Sequence, residues 1–449
     1  MKKQSGFCRR IAALTLVLCI LAALTADIFA ANIVASGYCG GEGRGTNLTW
    51  TLNSDGALTI SGKGRMADYA EDGSNVAPWW STTAARPVAL VLQSGITHIG
   101  SYAFSTINNS ISGVITIPDS VTSIGDHAFS GCYKVSGELI LPKNLTYIGR
   151  EAFSSCTFSG NLTIPSGVRT ISAGAFSDCW KMDGHLLVPE GVTKIEERAF
   201  FESAISTASI AGSVKEIGEN AFNSTNLRLL FLSEGLETIK AGAFANVNLE
   251  KLIIPKSVLK IEEGAFNGAH VLGTIQVTEG NSYYTTDYTR AALLDVEESL
   301  LLQYACGRAD SGYSIPNSVT RIADGAFYKA KHLRNIRLPE NLTSIGAGAF
   351  EDAASLNAVR LPEKLKELGD MAFRGCTALK SINIPKGITE IPLGCFCMCS
   401  ALEDVDLEEG ITNIAWGAFD ECAELSEVTL PASLKKWKAG RSQTAACCR

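Results

Sequence analysis

The segment LRNIRLPENLTSIGAGAF, residues 333–350, carries the pattern that decides the fold. Ile336 and Leu338 alternate with polar residues, which predicts a short strand with one face turned inward. Pro339 ends that strand, because proline cannot donate a hydrogen bond to a neighbouring strand. The Ala-Phe pair at the end of the segment returns apolar side chains to the same interior. A unit of this kind cannot bury its apolar face alone, so it must stack on similar units.

The Ala-Phe pair recurs along the chain at intervals of 22 to 25 residues, except for one gap of 61. A fixed period in this range is typical of a solenoid, in which each coil contacts only its neighbours. The strands of successive coils must then lie parallel, about 4.8 Å apart. The phenylalanines of the pattern are Phe104, Phe129, Phe153, Phe176, Phe200, Phe222, Phe244, Phe266, Phe327, Phe350, Phe373, Phe396 and Phe419, with Cys395 replacing alanine before Phe396.

Three segments, SVTSIGDHAFSGC, NLTSIGAGAFEDA and GITEIPLGCFCMC, resemble the BspA-type leucine-rich repeat of bacterial surface proteins. The resemblance covers residues 88–434. It implies an α/β-type solenoid, a leucine-rich-repeat array with parallel strands on its concave face and short helical or irregular return segments. It also implies adhesion to host matrix proteins or to other cells.

Residues 1–30 have the features of a secretory signal peptide. Lys2, Lys3, Arg9 and Arg10 precede an uncharged apolar run, and small residues follow it. A retained membrane anchor is the alternative, but a run of 16 residues is shorter than the ~20 that span a bilayer. We therefore expect a secreted or cell-surface protein without a transmembrane segment in its mature chain.

Residues 31–87 are predicted to form a β-rich leader that caps the solenoid. The segments 48–52 and 58–60 both alternate apolar and polar residues around the turn Ser54-Asp55-Gly56, which predicts a hairpin. The open first coil of a solenoid needs such a cover.

Two further segments depart from the repeat. Residues 278–312 contain ALLDVEESLLLQY, which predicts a hairpin insertion preceded by Tyr283, Tyr284 and Tyr288. This insertion is either a protruding binding loop or a packing elaboration that caps the adjacent coil, and the second reading is favoured. Residues 435–449 form a non-repeat tail, either genuine or an interrupted repeat.

Fourteen cysteines in an exported chain suggest disulfides, but six of them hold one repeat position. That position, three residues after the phenylalanine, favours a small buried apolar group. The run Cys395-Phe396-Cys397-Met398-Cys399 lacks the paired spacing that tetrahedral zinc requires. We predict no metal site and no cofactor. The six cysteines are Cys132, Cys156, Cys179, Cys376, Cys399 and Cys422.

The chain shows no pattern typical of an enzyme or a nucleic-acid-binding protein. Its five histidines are scattered singly, and no phosphate loop or nucleophile elbow occurs. The net charge is −7, without the basic clusters that bind phosphate backbones. A cell-wall or peptide hydrolase with a site assembled from separate repeats stays as one alternative. An architectural spacer of the cell envelope, without a specific ligand, is the other.

The outward-facing strand residues, counted back from the proline position, are the predicted ligand-binding surface. They line one face of the sheet, and apolar groups exposed there mark partner sites. The alternative is that these side chains pack on one another and are solvated normally. We expect the ligand to be an extracellular protein or glycan, of host matrix or of another cell. The predicted binding residues are His185, Leu187, Leu229, Phe231, Lys251, Ile253, Arg337, Arg360, Asp404 and Asp406.

Overall fold

The structure is a computed structural model that describes residues 32–72, 74–82, 85–105 and 110–438. The predicted signal peptide and the end of the predicted tail, residues 439–449, lie outside the described residues. The chain divides into two compact units, of which the first ends at Gly160 and the second begins at Asn161.

The first unit begins with a four-stranded sheet and continues into parallel coils. Strands β1, β2 and β3 pair in antiparallel fashion, and β5 joins β3 in parallel. A second sheet, β10-β8-β6-β4, is entirely parallel, as is the pair β7-β9. The strands are β1 Ile33–Tyr38, β2 Leu48–Asn53, β3 Ala57–Gly62, β4 Gly64–Arg65, β5 Ala89–Leu92, β6 Ile96–Ile99, β7 Ser112–Gly113, β8 Ser123–Ile124, β9 Lys134–Val135 and β10 Tyr147–Ile148.

The leading sheet of this unit follows from its alternating residues. Leu48, Trp50 and Leu52 are buried on one side of β2, and Gly56 takes the positive φ of 81° that the turn into β3 needs. Trp79 is fully buried and stacks on Phe104, with ring centroids 5.5 Å apart. The leader thus supplies an aromatic ring to the interior of the coils.

The second unit consists of parallel coils that each contribute a strand to two ladders. The front ladder runs through the sheets β11-β13-β15-β17, β19-β21, β25-β27 and β30-β32. The back ladder runs through β12-β14-β16-β18-β20, then β22-β23-β24-β26-β28-β29, then β31-β33-β34. The front strands are β11 Leu162–Thr163, β13 His185–Val188, β15 Thr207–Ile210, β17 Leu229–Leu232, β19 Lys251–Ile254, β21 Thr274–Val277, β25 Gly312–Ser314, β27 Asn335–Arg337, β30 Ser381–Ile384 and β32 Asp404–Leu407. The back strands are β12 Thr170–Ile171, β14 Lys194–Ile195, β16 Glu216–Ile217, β18 Thr238–Ile239, β20 Lys260–Ile261, β22 Tyr284–Thr286, β23 Ala292–Asp295, β24 Leu300–Tyr304, β26 Arg321–Ile322, β28 Ser344–Ile345, β29 Glu367–Leu368, β31 Glu390–Ile391, β33 Asn413–Ile414 and β34 Lys436–Trp437.

The repeat phenylalanines form a stack through the interior of each unit, which confirms their predicted role. In the second unit, Phe200 and Phe222 lie with centroids 5.1 Å apart and an interplanar angle of 16°. The rings from Phe350 to Phe419 repeat this geometry at 5.0 to 5.6 Å. Because strands of neighbouring coils are spaced about 4.8 Å apart, each ring covers the next without a gap.

The α/β class and the helical return segments expected from the sequence are not confirmed. In the described residues the one helical element is the short 3₁₀ turn Gly43–Gly45. From Phe129 onward, the backbone is left-handed two residues before and two residues after each repeat phenylalanine, as at His127 (54°) and Gly131 (75°) around Phe129. A left-handed residue at such short intervals prevents a right-handed helix. The return segments therefore bond across coils, and Phe129 N–H donates to the carbonyl of Ala152 at 2.8 Å.

Residues 278–312 continue the coil stack by another route. Strands β22, β23 and β24 pair in antiparallel fashion, and β24 pairs in parallel with β26. The hydroxyl of Tyr284 accepts a 2.6 Å hydrogen bond from the N–H of Ile261 in β20. Ala291 to Leu294 are buried, so this segment adds its own apolar side chains to the core.

Candidate functional site

The outward side of the front ladder in the second unit, called the front face below, carries the predicted binding residues. Leu229 and Phe231 project from β17 with 53% and 58% of their surface exposed, and Ile253 on β19 is 42% exposed. Strands β17 and β19 lie side by side, so these three residues form one apolar patch. A parallel sheet is usually covered on both faces, and exposed apolar side chains on one are therefore unusual.

The remaining predicted residues at this end of the front face are less closely grouped. Ser209 pairs with both Leu187 and Phe231, so one polar strand separates Leu187 from the patch. His185 is half-buried, and its Nδ1 lies 2.7 Å from Oγ1 of Thr207. Lys251 is exposed on β19 two residues before Ile253, and exposed Arg228 directly precedes Leu229.

Two arginines stand together further along the front face. A parallel bridge joins Asn335 to Ala358, which places Arg337 opposite Arg360 two residues later. Both side chains are exposed. Between them lies a hollow of about 240 Å³, lined also by Leu338, Leu361, Glu340 and Glu363. The sequence predicted adjacent strands for these arginines, and the bridge places them in neighbouring coils, although Arg360 itself lies outside a strand.

The acidic pair lies on β32 and is separated from the arginines by β30. Asp404 and Asp406 are both exposed and pair in register with Ser381 and Asn383. The side-chain amide of Asn383 exchanges two hydrogen bonds with the backbone of Leu361. Strand β30 therefore separates the two aspartates from the two arginines, although all four residues lie on the front face.

Tyr288 is an exposed residue whose position the sequence did not establish. It is 97% exposed on the turn between β22 and β23, and buried Asp287 anchors that turn by accepting the N–H groups of Ala291 and Ala292. The N–H of Ile275 in front strand β21 donates to the carbonyl of Arg290 in the same turn. The sequence singled out the tyrosine cluster, but nothing in it showed that Tyr284 packs while Tyr288 is displayed.

The sequence-based list of binding residues did not include two exposed residues of the first unit that hold the same positions relative to the proline. Val114 and Ile140 are 65% and 73% exposed. They stand four residues before Pro118 and two before Pro142, so the same counting rule from the proline identifies them.

One serine, histidine and aspartate array bears on the hydrolase alternative. In the first unit, Nδ1 of His98 lies 2.8 Å from Oγ of Ser123, and its Nε2 lies 3.2 Å from Oδ1 of Asp68. Burial, the largest effect, lowers the pKa of His98. The imidazole is 5% exposed, and Asp68 also accepts the N–H of Ser101 at 2.8 Å. An enclosed ring whose two nitrogens are both engaged holds the leader against the coils and leaves no approach for a substrate.

The cysteines of the repeat position are buried thiols, as the sequence predicted. Cys376 and Cys399 are fully buried, and each S–H donates to the carbonyl of a phenylalanine in the preceding coil, at 3.2 and 3.1 Å. Cys422 makes the same bond to Phe396 but is only partly buried. Cys306, Cys376, Cys395 and Cys399 carry free, buried thiols. Across the described ranges, no three His, Cys, Asp or Glu side chains form a group that could hold a metal ion.

The part of the chain that the structure describes contains no helix long and apolar enough to cross a bilayer.

Solved structures of bacterial leucine-rich-repeat proteins share this architecture. A leucine-rich cell surface protein from Faecalibacterium prausnitzii A2-165 is 23% identical with a TM-score of 0.53, and the match covers 92% of this chain and 96% of that one. A leucine-rich repeat protein from Eubacterium ventriosum ATCC 27560 is 23% identical with a TM-score of 0.50, covering 90% and 93%. At these identities the likeness shows the fold alone. No curated protein matches the sequence.

The family assignment comes from the repeats themselves. The family model of the BspA type leucine-rich repeat region, present in six copies, matches residues 88–187, 161–273 and 312–441. These ranges span well over half of the chain and contain the repeat phenylalanines and most strands of both ladders. The chain therefore belongs to the BspA-type leucine-rich repeat family.

Proposed function

We propose that the protein is an exported, surface-held recognition protein that binds an extracellular protein or glycan through the front face of its second unit. The observation that carries this proposal is the apolar patch of Leu229, Phe231 and Ile253, which lies on the neighbouring edge strands of two parallel sheets and is exposed in the described residues. Burying one such side chain against a partner stabilises a complex by roughly 1.5–3 kcal/mol. Three apolar side chains left exposed to water do not stabilise the fold, so the patch is suited to binding a partner.

The rest of the front face supports binding rather than catalysis. Its polar residues are spread along several strands, and the array of catalytic residue types around His98 is enclosed in the first unit. The cell surface role of the Faecalibacterium protein with the same fold is in keeping with export. We therefore assign the chain no enzymatic activity.

A binding screen of the purified full chain tests this function. Immobilised matrix proteins and a glycan array serve as ligands, with Phe231→Ser/Ile253→Ser as the test variant. Leu259→Ser/Trp416→Ser is the matched control, because these residues are 46% and 50% exposed in the same unit but lie off the front strands. We expect a saturable ligand whose affinity falls at least about tenfold in the test variant and stays unchanged in the control.

Two results would overturn the proposal. If no ligand saturates the wild-type chain, the spacer function replaces it. If both variants bind as well as wild type, a different surface is responsible.

A further inference from the structure

Arg337 and Arg360 bring two positive charges close together at one point of the front face. The bridge between Asn335 and Ala358 joins their coils, and each arginine stands two residues after its bridged residue. Like charges held close together repel each other. In the part of the chain that the structure describes, neither side chain has an ion pair or a hydrogen bond.

Several cations of the second unit are paired with glutamates. Lys194 pairs with Glu216 at 3.2 Å, and Lys215 pairs with Glu237 at 3.0 Å. Hydrogen bonds from Lys260, Ala241 N–H and Lys240 lower the pKa of Glu262 to about 2, against the burial that raises it. Among the described residues, Arg337 and Arg360 make no such ion pair, so their positive charges stay available to a ligand.

The space between the arginines is suited to a single carboxylate. The hollow of about 240 Å³ has room for a carboxylate side chain and several water molecules, each of which takes about 30 Å³. A guanidinium group binds a carboxylate with two parallel hydrogen bonds, and two guanidiniums can hold both of its oxygens. Leu338 and Leu361 lie beneath the hollow and are 7% and 0% exposed, so the arginine and glutamate side chains form its accessible walls.

The rim of the hollow argues against a densely charged polymer. Glu340 and Glu363 follow the prolines of the two coils and line the same hollow. The two glutamates would repel the additional negative charges along a sulfated glycan. They would repel a peptide less if its one carboxylate is flanked by neutral or basic residues. The apolar patch on the same face likewise fits a protein better than a polyanion.

We propose that Arg337 and Arg360 form a clamp for an aspartate or glutamate side chain of a protein partner. This inference rests on the proposed function and deepens it by naming the ligand as a protein with an acidic residue. Such a residue would enter the hollow while the apolar side chains of the same partner cover Phe231 and Ile253.

A labelled peptide isolates the clamp from the rest of the surface. The probe is fluorescein-Gly-Gly-Glu-Gly-Gly-amide, its glutamine counterpart is the reference, and the readout is fluorescence anisotropy with the full chain. We expect the glutamate peptide to bind at least about tenfold more tightly than the glutamine peptide. Arg337→Gln/Arg360→Gln should abolish that preference. Arg337→Lys/Arg360→Lys should remove most of it, because lysine keeps the charge but cannot bind both oxygens in a plane.

The matched control is Arg169→Gln/Arg228→Gln, which removes two exposed arginines of the same unit away from the hollow. It should leave the preference intact. The clamp is wrong if wild type shows no preference for glutamate, or if the control loses it as fully as the test variant. A sulfated octasaccharide that binds more tightly than the glutamate peptide through these arginines would overturn the assignment to a protein carboxylate.

The failures of the two proposals are distinguishable. Phe231→Ser/Ile253→Ser should keep the glutamate preference, because the clamp does not use those residues. A glutamate preference without any ligand in the screen removes the proposed function alone. A ligand that depends on Phe231 and Ile253, without a glutamate preference, removes the clamp alone.

Discussion

The ring of Tyr304 stacks on the ring of Phe327, with centroids 4.9 Å apart and an interplanar angle of 25°. The N–H of Tyr304 donates to the carbonyl of Ala326 at 2.8 Å, as the N–H of Phe327 does to Ala349 at 2.7 Å. Tyr304 therefore occupies the position in the stack that phenylalanine holds in the other coils, although it is not part of an Ala-Phe pair. The 61-residue gap between Ala-Phe pairs therefore contains a coil whose interior residues differ from those of the repeat pattern.

Replacement of Tyr304 tests whether this position supports the stack. Tyr304 is 2% exposed, so Tyr304→Ala should leave a cavity and lower the free energy of unfolding by about 3–5 kcal/mol. Tyr304→Phe keeps the ring and should cost much less. Tyr288→Ala, which truncates a fully exposed tyrosine nearby, should leave stability unchanged. Urea unfolding followed by circular dichroism measures all three, and equal midpoints for the two alanine variants would contradict the assignment.

The left-handed positions around each phenylalanine give a second test. Met371 and Gly394 hold the same position in successive coils, with φ of 57° and 58°. A side chain there costs about 1–2 kcal/mol. Gly394→Ala should therefore lower the free energy of unfolding by roughly 1 kcal/mol, whereas Met371→Gly should raise it by about 0.5 kcal/mol. Thermal unfolding of both variants decides, and a stabilised Gly394→Ala would refute the backbone geometry.

The contact between His98 and Asp68 predicts that acid weakens the first unit. Burial lowers the pKa of His98, so its neutral form is favoured in the folded chain. Burial raises the pKa of Asp68, but hydrogen bonds from Ser101 and His98 outweigh it and lower that pKa overall. Both groups contribute stability that is present above their unfolded pKa values and is lost as the pH falls, first for His98 below about 6.5 and then for Asp68 below about 4.

Hydrogen exchange as a function of pH checks this expectation. The N–H of Ser101, which donates to Asp68, should exchange through more frequent opening at pH 5 than at pH 7, after correction for intrinsic rates. In His98→Asn this pH dependence should be much smaller, since asparagine does not titrate. A wild-type protection factor that is constant between pH 7 and 5 would count against the prediction.

Buried thiols should resist modification in the folded protein. Burial raises the pKa of Cys306 to about 12 and holds the pKa of Cys376 well above its usual range. Because the thiolate is the reactive form, both should stay unmodified by iodoacetamide at pH 8 and react on unfolding in urea. Half-buried Cys397 is expected to react earlier than either. Mass spectrometry of peptides gives the order, and early labelling of Cys376 would show that the repeat position is open.

The sequence was sufficient for the repeat, the strand direction and the buried face, because each depends on a period that can be read directly. Ile336 and Leu338 are buried and Arg337 is exposed, as their alternation requires. The conformation of the return segments could not be read in the same way. The left-handed position before the phenylalanine holds Tyr102, His127 and Arg198 as well as glycines, so no residue type marks it.

The candidate surface was predictable in position but not in grouping. Counting from the proline placed Phe231, Ile253, Arg337 and Arg360 correctly on the outward side. The contacts among these residues depend on the spacing of the coils and on the breaks in the ladders. The amino-acid composition predicts neither. The hollow between the arginines also depends on the conformation of the backbone after Leu338 and Leu361, and no sequence motif predicts this hollow.

In the second unit, between the coil that contains β29 and the coil that contains β30 and β31, the front ladder and the back ladder are both interrupted, whereas β18 and β20 still pair where the front ladder breaks after β17. Hydrogen bonds between coils point along the stacking axis, so a pulling force along that axis acts on every junction in series. The junction without strand pairing on either ladder is then the first point of rupture. For a chain held at one end and engaged by a ligand at the other, the mechanical strength of attachment is set at this junction. Single-molecule pulling should show a first extension there, before the coils on either side lose their interiors.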